Sequence, residues 1–109
     1  MEALYYEYRG GAAPHPTMSC VLVGVLGSGN LEVLIESAPD LHGRFAVEIV
    51  TAVAGFGRIW QAVLDDVFAR WPLADVRVCI NDCGATPAVV ALRIDQALEE
   101  FKTQSGEQE

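Results

Sequence analysis

No stretch of this sequence is apolar for long enough to cross a bilayer as a helix. The longest, around Cys20 to Leu26, falls far short of the roughly 20 residues a membrane span needs. Basic side chains are scarce, seven against fifteen acidic ones, and the formal net charge is −8. A chain this acidic is repelled by phosphate backbones and by anionic lipid, so neither a nucleic-acid nor a membrane-surface role is expected. Partners with basic surfaces suit it better, although the same charge also keeps a small apolar domain in solution. Cysteine occurs three times, at Cys20, Cys79 and Cys83. An odd set without secretory context argues against a disulfide framework and for reduced thiols. Met1 to Glu7 lacks the basic and apolar regions of a signal peptide, and a soluble cytoplasmic protein is expected. The two histidines, His15 and His42, stand in no periodic relation to the thiols, and Cys79-x-x-x-Cys83 lacks the second pair that zinc requires. No metal site is expected.

What is present is enough for one folded domain with one modest core: 109 residues, 51% of them hydrophobic and 20% charged. Leu4 to Tyr8 reads as a short aromatic strand, and the Gly- and Pro-rich stretch Arg9 to Pro16 as a mobile connection. Met18 to Leu26 is apolar on both sides of the pleat, the mark of a central covered strand. Gly27-Ser28-Gly29-Asn30 then joins it to a second period-two run, Leu31 to Glu36, in the pattern of a hairpin with Ser28 near its tip. Arg44 to Thr51 is a further strand, with Phe45, Val47 and Ile49 on one side.

From about Phe56 the apolar period lengthens to that of a helix. Ile59, Trp60, Val63, Leu64, Val67, Phe68 and Trp71 form one stripe, and Pro72 ends it. Val76, Val78 and Ile80 make a last strand, and Asn81 to Ala85 a turn. Thr86 is placed to cap a second helix with Pro87 at its first position, burying Val90, Ile94, Leu98 and Phe101. The expected architecture is α+β in two layers, a mainly antiparallel sheet of about five strands with two helices on one face. Residues 1–102 form the domain and 103–109 a flexible acidic tail.

Few constellations carry chemistry. The glycine-rich tetrapeptide opens a strand rather than a helix and has no following Lys-Ser/Thr, so it is not a phosphate-binding loop. Leu26 and Asn30 occupy the positions where a nucleophile elbow needs glycine. What remains is a serine with glycine on both sides. It is either a plain turn residue or a hydroxyl open enough for another enzyme to modify and for a bulky group to hang from. The thiols read as buried or half-buried, and Trp60, Phe68 and Trp71 as core or subunit contacts. Asp65-Asp66 and Glu99-Glu100 read as solvated faces. This inventory favours a protein that other proteins act upon.

Three blocks resemble one family. Val23 to Leu34, with its Gly27-Ser28-Gly29-Asn30-Leu31-Glu32 run, is similar to the prosthetic-group segment of the malonate decarboxylase acyl carrier (delta) subunit. Val50-Thr51-Ala52-Val53-Ala54-Gly55-Phe56-Gly57 with Trp60 resembles a second block of that family, and Ile80-Asn81-Asp82-Cys83-Gly84-Ala85-Thr86-Pro87, followed by Val90 and Gln96-Ala97-Leu98-Glu99-Glu100, a third. The resemblance implies a non-catalytic carrier in a hetero-oligomer. Ser28 would hold 2′-(5″-phosphoribosyl)-3′-dephospho-coenzyme A through a phosphodiester, flanked by Gly27, Gly29 and Asn30. The implied partners are decarboxylase subunits, an acetyl/malonyl transferase subunit and the transferase that attaches the group. Asn30 departs from the family's Asp and Cys83 from an aromatic, and neither change removes the hydroxyl. Two alternatives remain: the acyl carrier subunit of citrate lyase, and a cofactor-free α+β dimerisation or regulatory module. The intact mass separates the last from both carriers.

Overall fold

In the computed structural model the described residues are 1–12 and 31–106, with the backbone alone over 102–106. The strand expected over Met18 to Leu26, the tetrapeptide with Ser28, and also His15 and Cys20 lie outside them.

Alternation of apolar and polar residues writes four strands. They are β1 (Glu2–Arg9), β2 (Leu31–Ser37), β3 (Arg44–Thr51) and β4 (Val76–Asp82). Two helices, α1 (Gly57–Arg70) and α2 (Pro87–Gly106), follow β3 and β4 respectively. Because side chains alternate across a pleat, Leu31, Val33 and Ile35 of β2 share one face with Phe45, Val47 and Ile49 of β3 and with Val76, Val78 and Ile80 of β4. All nine are buried there beneath Trp60, Leu64 and Val67 of α1 and Val90, Ile94, Ala97, Leu98 and Phe101 of α2. Each large apolar side chain so covered stabilises the fold by about 1.5–3 kcal/mol relative to its exposed state. Both helices therefore lie on one face of the sheet, as the two helical stripes require.

The strand order is β1-β3-β4-β2. Pairing is antiparallel for β1 with β3 and for β2 with β4, and parallel for β3 with β4. The sheet is thus mixed, and four-stranded among the described residues, where about five mainly antiparallel strands were expected. The parallel pair has a direct cause. Helix α1 carries the chain back over the sheet between β3 and β4, so both strands start from the same end. β4 also runs on to Asp82, two residues into the segment expected as a turn, and Asn81 donates from Nδ2 to Glu32 Oε1 at 3.1 Å across the β2 pairing. α2 continues to Gly106.

The other sheet face is polar. Arg77 bonds Glu36 Oε2 at 2.9 Å and Asp40 Oδ2 at 3.0 Å, with Glu48 at 3.7 Å, and Arg44 reaches Glu7 Oε2 at 2.8 Å. On the helix face Tyr8 stacks on Phe68 at 5.0 Å between centroids and donates its hydroxyl to Asp65 Oδ1 at 2.6 Å. Burial, reinforced by that acceptor, holds the Tyr8 phenol well above the ordinary tyrosine range. Asp65 is therefore a partner of β1 and not simply a solvated face, while neighbouring Asp66 pairs with Arg70 one turn on.

Gly11 and Ala12, expected in a mobile connection, are fixed. Ala12 donates to Pro72 O at 2.9 Å and accepts from Ala74 N–H at 3.0 Å. A Cβ on Gly11 would collide with the backbone of Pro72 and Leu73, so only glycine allows this approach.

Candidate functional site

The inward-facing series on the two parallel strands ends on polar residues. Thr51 continues Phe45, Val47 and Ile49, and Asp82 continues Val76, Val78 and Ile80; the two are register partners, 1% and 5% exposed. A buried carboxylate is costly unless it is fully hydrogen-bonded, and this one is supplied from three sides. Thr51 donates its hydroxyl to Asp82 Oδ2 at 2.8 Å. Oδ1 accepts the N–H groups of Gly84 at 3.2 Å and Ala85 at 2.8 Å. Thr51 Oγ1 in turn accepts the Val53 N–H at 3.1 Å, and Asp82 O accepts the Ala52 N–H at 2.9 Å. The pair therefore dictates the course of both loops that leave the sheet, 52–56 toward α1 and 83–86 toward α2. Gly84, at φ +108°, supplies the left-handed residue that turns the second loop under the carboxylate. Thr86 then caps α2 as its position before Pro87 predicts, accepting the Val89 N–H at 3.3 Å.

Between the two loops and the first turns of the helices is a cleft of about 380 Å³. Among the described residues, Thr51 and Asp82 form its polar end, Thr86 adds a further hydroxyl, and Val53, Phe56, Ile59, Trp60, Val63 and Val90 supply apolar walls. It opens beyond the carboxyl ends of two adjacent parallel strands, where helix-covered sheets commonly leave a crevice for ligands. Val53, Phe56 and Ile59 at its rim are 38%, 44% and 43% exposed. Leu31, the first residue of β2, is the register partner of Asp82, so the chain leading out of residues 27–30 joins the sheet at this end.

Ser28, Gly27, Gly29 and Asn30 lie outside the described residues, and their expected roles are taken up below. The cleft itself was not anticipated. In the sequence Trp60 reads as core or a subunit contact, Thr51 as a strand end, and Asp82 and Ala85 as turn residues, all within two family-like blocks that the fold brings together around one space. The legible signal was the polar residue closing each inward-facing apolar series.

The cysteines do not meet. Cys79 is half-buried on the polar sheet face, where burial first, then Glu48 and Glu36, push its thiol up, with Arg77 opposing. Cys83 is exposed on the loop, not buried or half-buried as expected, because Asp82 and not its neighbour turns inward. Among the described residues no cluster of His, Cys, Asp or Glu is arranged to hold a metal ion, and no helix is long and apolar enough to cross a membrane.

Fold and cleft together define a class: a small two-layer α+β domain that offers a shaped apolar space, with a buried carboxylate, Asp82, spent on loop structure. Comparison with known proteins supplies the family. The family model described as malonate decarboxylase delta subunit (MdcD) matches residues 19–101. A malonate decarboxylase acyl carrier protein of Xanthomonas euvesicatoria pv. vesicatoria (strain 85-10) is 59% identical over 99 residues, covering 91% of this chain and 93% of the relative. One of Burkholderia cepacia is 58% identical over 100 residues, covering 92% and 90%. A chain in the crystal structure of a Pseudomonas malonate decarboxylase hetero-tetramer in complex with malonate superimposes with a TM-score of 0.72 at 36% identity, covering 93% of this chain and 99% of that one. The chain belongs to the malonate decarboxylase delta-subunit family; it is an acyl carrier subunit, not a catalytic one.

Proposed function

We propose that Ser28 is the attachment residue of this carrier and that it bears 2′-(5″-phosphoribosyl)-3′-dephospho-coenzyme A in phosphodiester linkage, with Gly27, Gly29 and Asn30 leaving the hydroxyl open to the attaching enzyme. A carrier role implies a covalently held prosthetic group, and the family match over residues 19–101 spans this serine. One observation of the structure carries the reading furthest. The chain from Ser28 enters the sheet at Leu31, directly opposite Asp82, which lines the cleft.

The residues present fit such a group. The linkage asks for a hydroxyl, which Ser28 supplies, and the strand that begins three residues later pairs with Asp82 at the cleft. When bound, the arm supplies a thiol that holds acetyl or malonyl as a thioester, whose carbonyl accepts the charge left as carbon dioxide departs. The protein's own part is to anchor that arm on the sheet through β2 and to hold itself in a hetero-oligomer with decarboxylase and transferase subunits, in the cytoplasm. The Pseudomonas hetero-tetramer is the support for that assembly.

Mass spectrometry of protein from a cell that also makes the attaching transferase tests the assignment. The Ser28 peptide is expected to carry the arm, and Ser28→Ala to remain folded at the bare polypeptide mass. An arm on Ser37, Ser105 or a cysteine, or its retention by Ser28→Ala, overturns the assignment.

A further inference from the structure

We infer that the cleft above Thr51 and Asp82 is an acyl-binding site of the carrier itself: it receives the acetyl-thioester end of the carrier's own arm and turns the malonyl form away. This rests on the attachment at Ser28 proposed above.

The walls set the class of ligand. Val53, Phe56, Ile59, Trp60, Val63 and Val90 present hydrocarbon and aromatic surface, and about 380 Å³ is in the size range of small-molecule sites, ample for a two-carbon acyl group and the adjoining thioester. Three of these side chains are more than a third exposed around the mouth. Apolar groups gathered in one place on a chain of net charge −8 mark a surface that something covers.

The position selects the occupant. Three peptide links separate Ser28 from Leu31, and covalent geometry keeps their Cα atoms within about 11 Å. Leu31 is the register partner of a residue that lines the cleft. A group tethered at Ser28 therefore starts near the cleft, and at an effective concentration of about mM it occupies the cleft if the contact's own Kd is about mM or tighter.

Charge supplies the discrimination. An acetyl group is neutral and enters an apolar space without losing hydration of a charge. A malonyl carboxylate would surrender its water to mainly apolar walls, where Thr86, whose Oγ1 accepts the Val89 N–H, is the one further side-chain hydroxyl among the described lining residues, and it would face the Asp82 carboxylate. The one polar end of the space is itself a carboxylate, and its neighbouring donors, the Thr51 hydroxyl and the Gly84 and Ala85 amides, are already committed to Asp82. Arg58 is exposed in the first turn of α1 and does not line the cleft. The cleft would thus shelter the carrier between turnovers and leave the malonyl form free for the decarboxylase, so the acyl state itself decides whether the arm is withdrawn or presented.

The test uses holo-carrier in free-thiol, acetyl and malonyl forms, each verified by intact mass. Trp60 and Trp71 are the only indoles, so a Trp71→Phe background leaves Trp60 as the reporter. Acetylation is expected to move the Trp60 indole and the Ala85 and Val90 amide resonances, whereas the malonyl form overlays the free thiol. Hydroxylamine should cleave the acetyl carrier several-fold more slowly than acetyl-pantetheine, and the malonyl carrier at the rate of malonyl-pantetheine. Filling the cleft with Val63→Phe, or separately with Ala85→Leu, should abolish the protection while resonances elsewhere persist. Cleft resonances that ignore acetylation, or that respond equally to malonylation, overturn the inference and leave the carrier assignment standing. A holo-protein without the arm on Ser28 removes both.

Discussion

Thr51 and Asp82, neighbours on two parallel strands, share a hydrogen bond of 2.8 Å, and this contact is where the sheet stops being core and begins to shape a cavity. The hydroxyl donates to the carboxylate while accepting from Val53, so one threonine links strand end, loop and buried charge.

Removing that hydroxyl with Thr51→Val is expected to cost about 1.5–3 kcal/mol, the range for a lost hydrogen bond to a charged group. Asp82→Ala should cost more, on the order of 3 kcal/mol or above, because it strands the Thr51 hydroxyl and the amides of Gly84 and Ala85 together. Urea midpoints rank the two; equal midpoints would show that Asp82 does not organise the loops.

Gly11→Ala is expected to destabilise by about 1–3 kcal/mol, since the new methyl meets backbone that cannot rotate aside. Hydrogen exchange should locate the damage at the Ala12 and Ala74 amides, which form the short bridge to the Pro72–Leu73 segment.

Acid sensitivity is expected to involve Arg77. Its hydrogen bond holds the Asp40 carboxyl below the ordinary aspartate range. A carboxylate lowered in the folded state adds stability that is present above its unfolded value, about 3.9, and disappears as pH falls through its folded value. The stability gap between wild type and Arg77→Met, followed by urea denaturation from pH 7 to pH 2, should therefore narrow only below about pH 4. A gap independent of pH would assign Arg77 a packing role alone.

The two described thiols should separate kinetically. Iodoacetamide at pH 8 is expected to alkylate exposed Cys83 well before Cys79, whose thiol is half-buried and held protonated to higher pH. Peptide mass spectrometry over a time course reads both. Replacing Cys20, Cys79 and Cys83 together should still leave holo-protein competent for acetyl loading, since the carried thiol belongs to the arm; loss of loading in a folded variant would point to a protein thiol instead.

Local patterns carried much of this fold. Val33, Val47 and Val78 announced their strands by alternation, Trp60 and Leu64 their helix by its longer period, and Thr86-Pro87 the start of the last helix. Strand neighbours were not legible in that way. β1 pairs with β3 and β2 with β4 across long intervening segments, and nothing in either strand's own residues states its partner. The parallel pairing could have been inferred, because a helix of 14 residues between two strands is a crossover. The cleft was hidden for the same reason as the strand order: Thr51, Trp60, Asp82 and Val90 become neighbours only once β3 and β4 lie side by side.

The central parallel pair also has a consequence for how the molecule assembles and loosens. β3, α1 and β4 are consecutive, and forming the helix shortens the loop that must close before the two strands meet. β1 and β2, each paired on one side only among the described residues, can add to that nucleus later from opposite flanks. Opening should follow the reverse order, with β1 and β2 amides exchanging through partial excursions while β3 and β4 exchange only on global unfolding. The strand that leads to Ser28 would then belong to the softer rim of the domain, and the floor of the cleft to its most persistent part.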